Sequence, residues 1–332
     1  MPDEECTIET STVEKYAPIV LFVYSRLAHT KKVVNALLNN PEASQSCLYI
    51  FSDGPKVNAT EETRKEVAAV KEYIATIKGF KNIEIESFER NQGLAQITIY
   101  GMSKIFNSYD RAIMLEDDDV PSPYFLSYEN RCLEKYAKDE RIWCVSGYID
   151  NGYVPAREGD DLFLVNRSSS WGFGTWKRCW EKVIWDINTL RGIFRHKDVV
   201  VGFNRWAGTD VARIMFETFP NISNSWSVRY SFAGYLNMSY TILPNKSLIS
   251  SIGMDGTGTH GDNSGRVVTM MERDVIIPKE IKFDPIRNEQ VCKSVRGRGL
   301  RSRVVSYAEL HPVFHKIIYS LTGKKDSWKV KE

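Results

Sequence analysis

Four consecutive acidic residues (EDDD, residues 116–119) directly follow an apolar run (AIML, residues 112–115), and they are the side chains in this chain best suited to chemistry. A short apolar run bounded by turn residues is typical of a buried strand. The sequence VPSP at residues 120–123 is expected to end any strand or ladder at this point. The acids are therefore expected at the carboxyl end of a core strand, where open α/β sheets place their ligands.

Carboxylate oxygens in this number point to a divalent cation. Adjacent carboxylates repel one another unless a cation lies among them, and hard oxygen ligands suit Mg²⁺ or Mn²⁺. Mg²⁺ is commonly held by one or two carboxylates together with substrate phosphates. The alternative is a solvated acidic turn or the start of a helix, where acidic residues are also favoured.

Composition limits the classes of protein to consider. The 332 residues are 42% hydrophobic and 12% aromatic, which is enough to bury a full core. The net charge of +2 hides an asymmetry, because the part from Gln290 onward holds ten basic and three acidic residues. The rest of the chain is acidic overall, which argues against a general nucleic-acid binder.

Six scattered cysteines without a Cys-x-x-Cys pair indicate reduced thiols, and neither a disulfide framework nor a zinc site.

The amino-terminal segment and the hydropathy of the chain predict neither a secretory signal nor a membrane-spanning helix. Residues 1–17 are polar and rich in acids, so we expect a disordered leader and no secretory signal. No stretch approaches the roughly 18 apolar residues that span a bilayer. These features predict a soluble, cytoplasmic protein.

Strand and helix patterns alternate from residue 18 to residue 147. Such alternation predicts βαβ units on a mostly parallel sheet flanked by helices. The expected strands are residues 18–24, 47–51, 83–88, 111–115 and 142–146, and the expected helices are residues 29–39, 60–77, 94–107 and 123–136.

The pattern changes after Gly147. Residues 148–265 are predicted to be rich in loops, and six of the eight tryptophans lie there. Dense aromatic residues among glycines favour a cleft wall that stacks on flat or ring-shaped ligands. The alternative is that the tryptophans simply cap the sheet as part of the core. The six are Trp171, Trp176, Trp180, Trp185, Trp206 and Trp226.

Several short segments occur in the order found in one enzyme family. They are PIV at 18–20 with Arg26, Asp53-Gly54, Glu116-Asp117-Asp118, IWCVS at 142–146 and THG at 259–261. With these segments the chain, over about residues 18–265, resembles the GT-A glycosyltransferases around N-acetylglucosaminyltransferase I and protein O-mannose N-acetylglucosaminyltransferase. The segments NQGLA at 91–95 and WGFGTWKR at 171–178 look like those of bacterial relatives from polysaccharide loci.

The resemblance implies a GT-A, Rossmann-like fold and a set of site residues. Arg26 and Asp53 would contact the nucleotide base or ribose, and Asp117 would hold the ribose or the donor sugar. Asp118 would ligate Mn²⁺ or Mg²⁺, while His260 would lie on a lid over the diphosphate. The full expected set for the nucleotide-sugar donor is Arg26, Asp53, Asn91, Gly93, Glu116, Asp117 and Trp226, with Asp118 and His260 for the metal.

One position departs from the family pattern. Eukaryotic relatives carry a Trp-Asp-Asp segment that supplies the catalytic base, and the matching segment here, residues 226–229, is WSVR. A serine hydroxyl is far too weak to serve as that base. Asp255 and Asp210 are the candidate bases, and the other possibility is that the chain lacks activity. Asp119 extends the acidic run, so the metal ligand could also be one residue further along the chain than Asp118.

The resemblance implies a metal-dependent, inverting transferase that moves a sugar from UDP-N-acetylhexosamine or a UDP-hexose to a glycan or lipid-linked glycan acceptor. It implies a role in bacterial surface polysaccharide or glycoconjugate biosynthesis, without nucleic-acid partners. Within one domain, residues 18–147 would bind the donor and residues 148–289 would form the acceptor and lid half.

The basic tail, residues 290–332, is predicted to be helical. Apolar residues near helical spacing between 310 and 321, flanked by basic residues, predict an amphipathic helix. Such a helix would bind the cytosolic face of a membrane or dock on the catalytic domain.

Three other functions remain open at this point. A sugar nucleotidyltransferase would need a glycine-rich loop after its first strand, and residues 24–29 (YSRLAH) have none. A two-metal nuclease or phosphatase would need further acids on separate strands. A non-catalytic sugar-nucleotide or glycan-binding relative is consistent with the missing base.

Overall fold

The computed structural model describes residues 15–219, 224–253 and 267–294 and contains an eight-stranded mixed sheet flanked by helices. Its strands and those of a small two-stranded sheet are β1 (Ile19–Val23), β2 (Cys47–Ser52), β3 (Asn82–Ser87), β4 (Arg111–Glu116), β5 (Asp119–Pro121), β6 (Ile142–Ser146), β7 (Leu162–Val165), β8 (Phe173–Trp176), β9 (Tyr240–Pro244) and β10 (Ile249–Ser251). The helices are α1 (Leu27–Leu38), α2 (Glu61–Ile74), α3 (Leu94–Ile105), α4 (Phe125–Lys135), α5 (Lys177–Trp180), α6 (Ile187–Ile193), α7 (Lys197–Ala207), α8 (Val211–Thr218), α9 (Trp226–Leu236) and α10 (Pro285–Ser294). A 3-10 helix, Pro41–Gln45, precedes β2.

The large sheet has the strand order β3-β2-β1-β4-β8-β6-β9-β7. The first four strands in this order are parallel to one another, and β6 is parallel to β9. Because β8 is antiparallel to both β4 and β6, these two strands also run in the same direction. Six strands therefore end at one edge of the sheet, and the predicted α/β class with a mostly parallel sheet is confirmed.

Burial explains why the central segments form strands. All five residues of β1 (IVLFV) are buried, as expected for a strand covered by helices on both faces. Helix α1 contributes Val33, Val34 and Leu37 to this core, at the spacing of one helical face. The hydroxyl of Thr60 accepts a hydrogen bond from the Thr63 N–H and so caps the start of α2. The predicted strands and helices up to residue 146 agree with the observed ones within a few residues.

The segment after the acidic run does not end all pairing, so that expectation was wrong. Asp119–Pro121 forms β5, which pairs antiparallel with β10, with Ser251 opposite Asp119 and Ile249 opposite Pro121. Pro121 is tolerated because it lies opposite Ile249 at a position between two hydrogen-bonded positions of the ribbon, where no N–H from this strand is needed. The next residue, Ser122, donates its N–H to the Leu248 carbonyl at 2.7 Å.

The second half of the chain holds more regular structure than expected, and three of its six tryptophans belong to the core, as in the alternative interpretation. Four strands (β7–β10) and helices α5–α9 come from residues 148–253. The side chains of Trp176, Trp180 and Trp226 are only 3%, 2% and 3% exposed. Trp226 stacks on Phe173 with ring centroids 5.8 Å apart and planes at 19°. These three tryptophans therefore pack in the core, whereas Trp171, Trp185 and Trp206 are only partly buried.

Helices α6–α9 add a second hydrophobic cluster beside the sheet. Phe194, Phe203 and Phe232 are fully buried in it, and their ring centroids lie 4.8–6.3 Å apart. The five cysteines among the described residues are buried and free. Within the described residues, no helix has the length and apolar character needed to cross a membrane.

One buried acid in the core carries a testable pH dependence. Glu129 on α4 is fully buried against the backbone of Gly174 on β8, and burial raises its pKa well above the ordinary value. The folded protein therefore keeps this proton while the unfolded chain loses it near pH 4.5. Stability falls by about 1.4 kcal/mol for each pH unit between the unfolded and folded pKa values.

We expect Glu129→Gln to remove this loss. The melting temperature of the variant should match that of the wild type near pH 4 and exceed it progressively as the pH rises toward 8, because glutamine has no proton to lose. Thermal unfolding across this range measures the difference. Glu134→Gln, at an exposed position of the same helix, is the control and should show no such trend. Parallel curves for Glu129→Gln and the wild type would show that Glu129 is not a buried neutral acid.

Candidate functional site

The acidic run forms a tight turn between β4 and β5. Asp119 is fully buried, and one of its carboxylate oxygens accepts from the Glu116 N–H at 3.1 Å and from the Gly172 N–H at 3.0 Å. The other oxygen, Oδ1, has no hydrogen-bond partner within the described part of the chain. Asp119 thus closes the turn and leaves Asp117 and Asp118 at its apex.

Arg26 bridges the two acids at the apex. It follows β1 and directly precedes α1, and its Nη2 donates to Asp117 and, at 3.0 Å, to Asp118. Strands β1 and β4 are parallel neighbours, so their carboxyl ends bring these side chains together. Partial burial alone would lower the pKa of Arg26, but the charges of Asp117 and Asp118 more than reverse that effect and raise it.

The other two acids of the turn, Glu116 and Asp119, have raised pKa values. Burial, followed by the negative charges of Asp118 and Asp117, raises the pKa of Glu116 to about 8, although Arg26 and the nearby Trp226 indole act in the opposite direction. Burial also raises the pKa of Asp119, and Asp118 and Glu116 add to the effect. One guanidinium is therefore too little positive charge for four carboxylates, and the turn favours binding of a further cation.

The donor atoms of the turn match a small divalent cation. The site offers only hard oxygen ligands, one of them the orphaned buried Oδ1 of Asp119, and oxygen ligands fit Mn²⁺ or Mg²⁺. No group of three or more histidine, cysteine or acidic side chains in residues 15–219, 224–253 and 267–294 is arranged to hold a metal alone. A divalent ion held here by Asp118 would take its other ligands from a bound diphosphate, from water, or from residues outside those ranges.

Asp53 anchors a loop at the neighbouring strand end. It follows β2, is only 5% exposed, and accepts four hydrogen bonds through its two carboxylate oxygens. The donors are the N–H groups of Gly54 and Gln92 at 2.8 Å and Gly93 at 3.0 Å, and the side-chain amide of Asn91 at 2.8 Å. Gly93 has a φ of +81°, which favours glycine, and it is the residue before α3.

The structure therefore gives Asp53 a clear role in holding the loop of Asn91 and Gly93 at the carboxyl edge. Direct contact of Asp53, Asn91 or Gly93 with a nucleotide stays a prediction. Trp226 begins α9, and although its ring is buried, it lies near enough to Glu116 to lower the pKa of that acid.

Two features of the site were missed in the sequence. The Ile252 N–H donates to the Asp118 carbonyl at 2.9 Å, and any side chain at Gly253 would have to displace the Asp118 carboxylate. The ring nitrogen Nε2 of His29 lies 3.3 Å from the Ile252 carbonyl oxygen. His29 comes one helical turn after Arg26, a spacing that could have placed it on the same side of α1.

The candidate bases have different outcomes. Asp210 pairs in a bidentate fashion with Arg167, at 2.7 and 2.9 Å. It lies close to α7, whose Trp206 stacks on Tyr240, the first residue of β9. Because β9 runs parallel to β4, this is the opposite edge of the sheet from the acidic turn, and the structure does not bring Asp210 to that turn. Asp255 and His260 lie outside the described residues.

Solved structures with a related fold are only distantly similar. They include the mannosyltransferase PcManGT from Pyrobaculum calidifontis in complex with GDP-Man and Mn²⁺ (10% identity, TM-score 0.34), which covers 51% of this chain and 48% of that one. The match to TarS from S. aureus (9% identity, TM-score 0.41) covers 72% of this chain and 37% of TarS. The match to LgtC (11% identity, TM-score 0.31) covers 65% of this chain and 69% of LgtC. The matches thus span about half of the mannosyltransferase and a smaller share of TarS. TM-scores this low support no argument about function.

A search of curated proteins gives no match. The family model described as the GNT-I family matches residues 1–172, which is just over half of the 332 residues. The matched part contains Arg26, the Asp53 loop and the whole acidic turn. The chain therefore belongs to the GNT-I family.

Proposed function

We propose that this protein is a metal-dependent, inverting glycosyltransferase that moves a sugar from UDP-N-acetylhexosamine or a UDP-hexose to a glycan acceptor. The observation that carries the proposal is the acidic turn at residues 116–119, bridged by Arg26 at the carboxyl edge of a mostly parallel sheet. Membership of the GNT-I family supports sugar transfer as the reaction class. A role in bacterial polysaccharide or glycoconjugate biosynthesis is part of the proposal and follows from the sequence resemblance.

The residues of the chain have distinct tasks in this mechanism. Asp118 would hold Mn²⁺ or Mg²⁺ together with the donor diphosphate, and the ion would neutralise the charge that develops on the departing nucleoside diphosphate. Arg26 keeps Asp117 and Asp118 oriented, so that little reorganisation is needed when the donor binds. The loop held by Asp53 gives the nucleotide a fixed surface at the next strand end. His260 is the proposed lid residue over the diphosphate.

The transfer step forms one bond and breaks one bond. The acceptor oxygen attacks the anomeric carbon from the face opposite the diphosphate, the bond from that carbon to the diphosphate oxygen breaks, and the acceptor proton passes to a carboxylate. Ser227, at the position of the relatives' base, cannot accept this proton at ordinary pH. We propose Asp255 as the base, because the structure places Asp210 in an ion pair near the amino end of β9.

A thermal-shift screen tests the donor class. UDP-, GDP- and dTDP-sugars are added to the full chain with and without Mn²⁺, and we expect a UDP-sugar with Mn²⁺ to raise the melting temperature most. At a concentration of 100 times Kd, a ligand that binds only the folded state stabilises it by about 2.7 kcal/mol. If no nucleotide sugar shifts the transition in either condition, the proposed function is wrong.

A second candidate is a sugar-nucleotide-binding protein without transferase activity. The absence of a carboxylate at Ser227 favours it. Donor hydrolysis separates the two cases, because an active transferase usually releases UDP slowly when water replaces the acceptor. A chain that binds a UDP-sugar with Mn²⁺ yet releases no UDP over hours would be the binding protein.

The basic tail carries a proposed membrane contact on the cytosolic leaflet, where a lipid-linked acceptor would lie. Each lysine or arginine near an anionic leaflet contributes about 1 kcal/mol. Residues 295–332 lie outside the described residues, and helix α10 crosses the expected boundary at residue 290, ending at Ser294. A truncation should therefore follow Ser294, so that the buried Arg287 and its hydrogen bond to Asn245 are kept.

We expect the full chain to pellet with anionic vesicles at low salt and to be released at high salt. The chain truncated after Ser294 should stay in the supernatant under both conditions, and neutral vesicles are the control for both proteins. If the full chain ignores anionic vesicles at low salt, the tail does not bind membranes, and docking on the catalytic domain becomes the favoured role.

A further inference from the structure

A cavity of about 700 Å³ lies apart from the acidic turn, at the carboxyl end of β9 and the start of β7. Its floor includes the buried residues Asn245 and Met271, with Lys246 partly buried beside them. Its rim is formed by exposed side chains, among them Arg157 and Glu272. Nothing in the mechanism above uses this cavity.

The walls of the cavity are held in place by buried polar contacts. The Asp161 carboxylate is 4% exposed and accepts from the Arg273 guanidinium at 2.6 and 2.8 Å and from the Ile276 N–H at 2.8 Å. The Asn245 side chain accepts from the Arg157 N–H at 2.9 Å and donates to the Arg157 carbonyl at 2.6 Å. The cavity is therefore formed before any ligand arrives, which lowers the ordering cost of binding.

Other polar groups of the lining are available to a ligand. The side chains of Lys246, Glu158 and Glu272 form no hydrogen bond or ion pair with other residues of the described structure. Counted together, the lining holds three basic side chains (Arg157, Lys246, Arg273) and three acidic ones (Glu158, Asp161, Glu272). This balance disfavours a strongly charged ligand. A mixture of hydrogen-bond donors and acceptors suits a neutral molecule with many hydroxyl groups, because each hydroxyl both donates and accepts.

The cavity and the acidic turn lie on the same edge of the sheet. Strands β4 and β9 run in the same direction and are three strand positions apart, so their ends are separated by about 14 Å at a spacing of about 4.8 Å per strand. The chain also links the two places. Gly253 abuts the Asp118 carboxylate. Further along the chain, the Val267 carbonyl accepts from the Asn151 N–H at 2.8 Å. Residues 271–273 then line the cavity.

We infer that this cavity binds the part of the acceptor remote from the reacting hydroxyl, and that the acceptor is a neutral sugar chain of at least two residues. The inference rests on the proposed transferase function. The separation from the acidic turn sets the minimum length, because a single sugar in the cavity would not reach a donor held at Asp118. The balanced charge of the lining sets the neutral character.

Saturation-transfer NMR on the full chain tests the inference, with lactose, maltose, cellobiose and N,N′-diacetylchitobiose as probes. We expect transfer to at least one disaccharide, and a loss of affinity of about tenfold or more in Lys246→Met and in Glu272→Gln, since each removes a charged hydrogen-bonding group. Lys279→Met, at an exposed lysine outside the lining, is the matched control and should bind the disaccharide like the wild type.

The thermal shift given by the nucleotide sugar is measured on the same proteins. It should be unchanged in all three variants, because none of the substituted residues contacts the acidic turn. Transfer to no disaccharide, or equal transfer in the wild type and both cavity variants, overturns the inference. If the nucleotide sugar still stabilises the protein in that case, the proposed function stands. If disaccharide binding depends on Lys246 but no nucleotide sugar stabilises the protein, the cavity is a sugar-binding site and the proposed transferase function is wrong.

Discussion

Asp118→Ala is expected to abolish sugar transfer and to remove the Mn²⁺ dependence of nucleotide binding, while the protein still folds. The side chain of Asp118 is 17% exposed at the apex of the turn, and its contact is with Arg26. Arg26 keeps Asp117 as a partner in the variant. Removing one of several crowded carboxylates also relieves repulsion in the metal-free protein. Calorimetry with UDP and with or without Mn²⁺ measures the binding effect, and a transfer or donor-hydrolysis assay measures turnover.

The choice of control depends on the structure. From the sequence, Asp119→Ala would be the natural control for a metal register shifted by one residue, and it would be expected to cost much less activity. Asp119 is fully buried, however, and its carboxylate accepts from the Glu116 and Gly172 N–H groups. Alanine there would leave two buried donors without a partner and destabilise the turn. Asp119→Asn keeps an acceptor oxygen and is the better control.

The two variants together assign the metal ligand. Loss of turnover and of Mn²⁺ dependence in Asp118→Ala, with both kept in Asp119→Asn, supports Asp118. The reverse result would move the assignment to Asp119. Unchanged turnover in Asp118→Ala would remove Asp118 from the mechanism.

The sequence predicted the position of the acidic turn because the cause is local. An apolar run followed by polar turn residues defines a strand end without knowledge of the strand's neighbours. The ends of β1 and β2 were predicted in the same way, so Arg26 and Asp53 could be placed at the edge of the sheet. The sequence did not show which of these strands are neighbours in the sheet. The structure supplies the strand order, with β1 between β2 and β4, and this order explains why Arg26 reaches Asp117 and Asp118.

The features that sequence analysis missed depend on distant partners. The short strand that ends at Pro121 exists only because β10, more than a hundred residues later, pairs with it. The tryptophans gave no sign of which side they face, since core packing and ligand stacking favour the same rings. Asp210 was a plausible base until its bidentate contact with Arg167, 43 residues earlier in the chain, was known.

The structure changes the balance between the two candidate bases. Both oxygens of Asp210 accept from Arg167, which also donates to the Ala207 carbonyl at 2.6 Å. Both oxygens of the Asp210 carboxylate are therefore engaged in supporting the local fold. Asp255 lies outside the described residues. It remains the base that we propose, because in the sequence it follows Gly253, which abuts the Asp118 carboxylate, by two positions.

Asp255→Asn should then lower the rate of transfer by about 10²–10⁴, the usual contribution of a general base, while the affinity for the donor barely changes. Asparagine keeps the size of the side chain and removes its ability to take the acceptor proton. Single-turnover transfer and calorimetric donor titration separate the two effects. Asp210→Asn is the matched control, and it should lower the melting temperature by weakening the pair with Arg167 without a comparable loss of rate. A large loss of donor affinity in Asp255→Asn would instead mark Asp255 as a residue that binds the donor, and the source of the base would then have to be sought at another carboxylate.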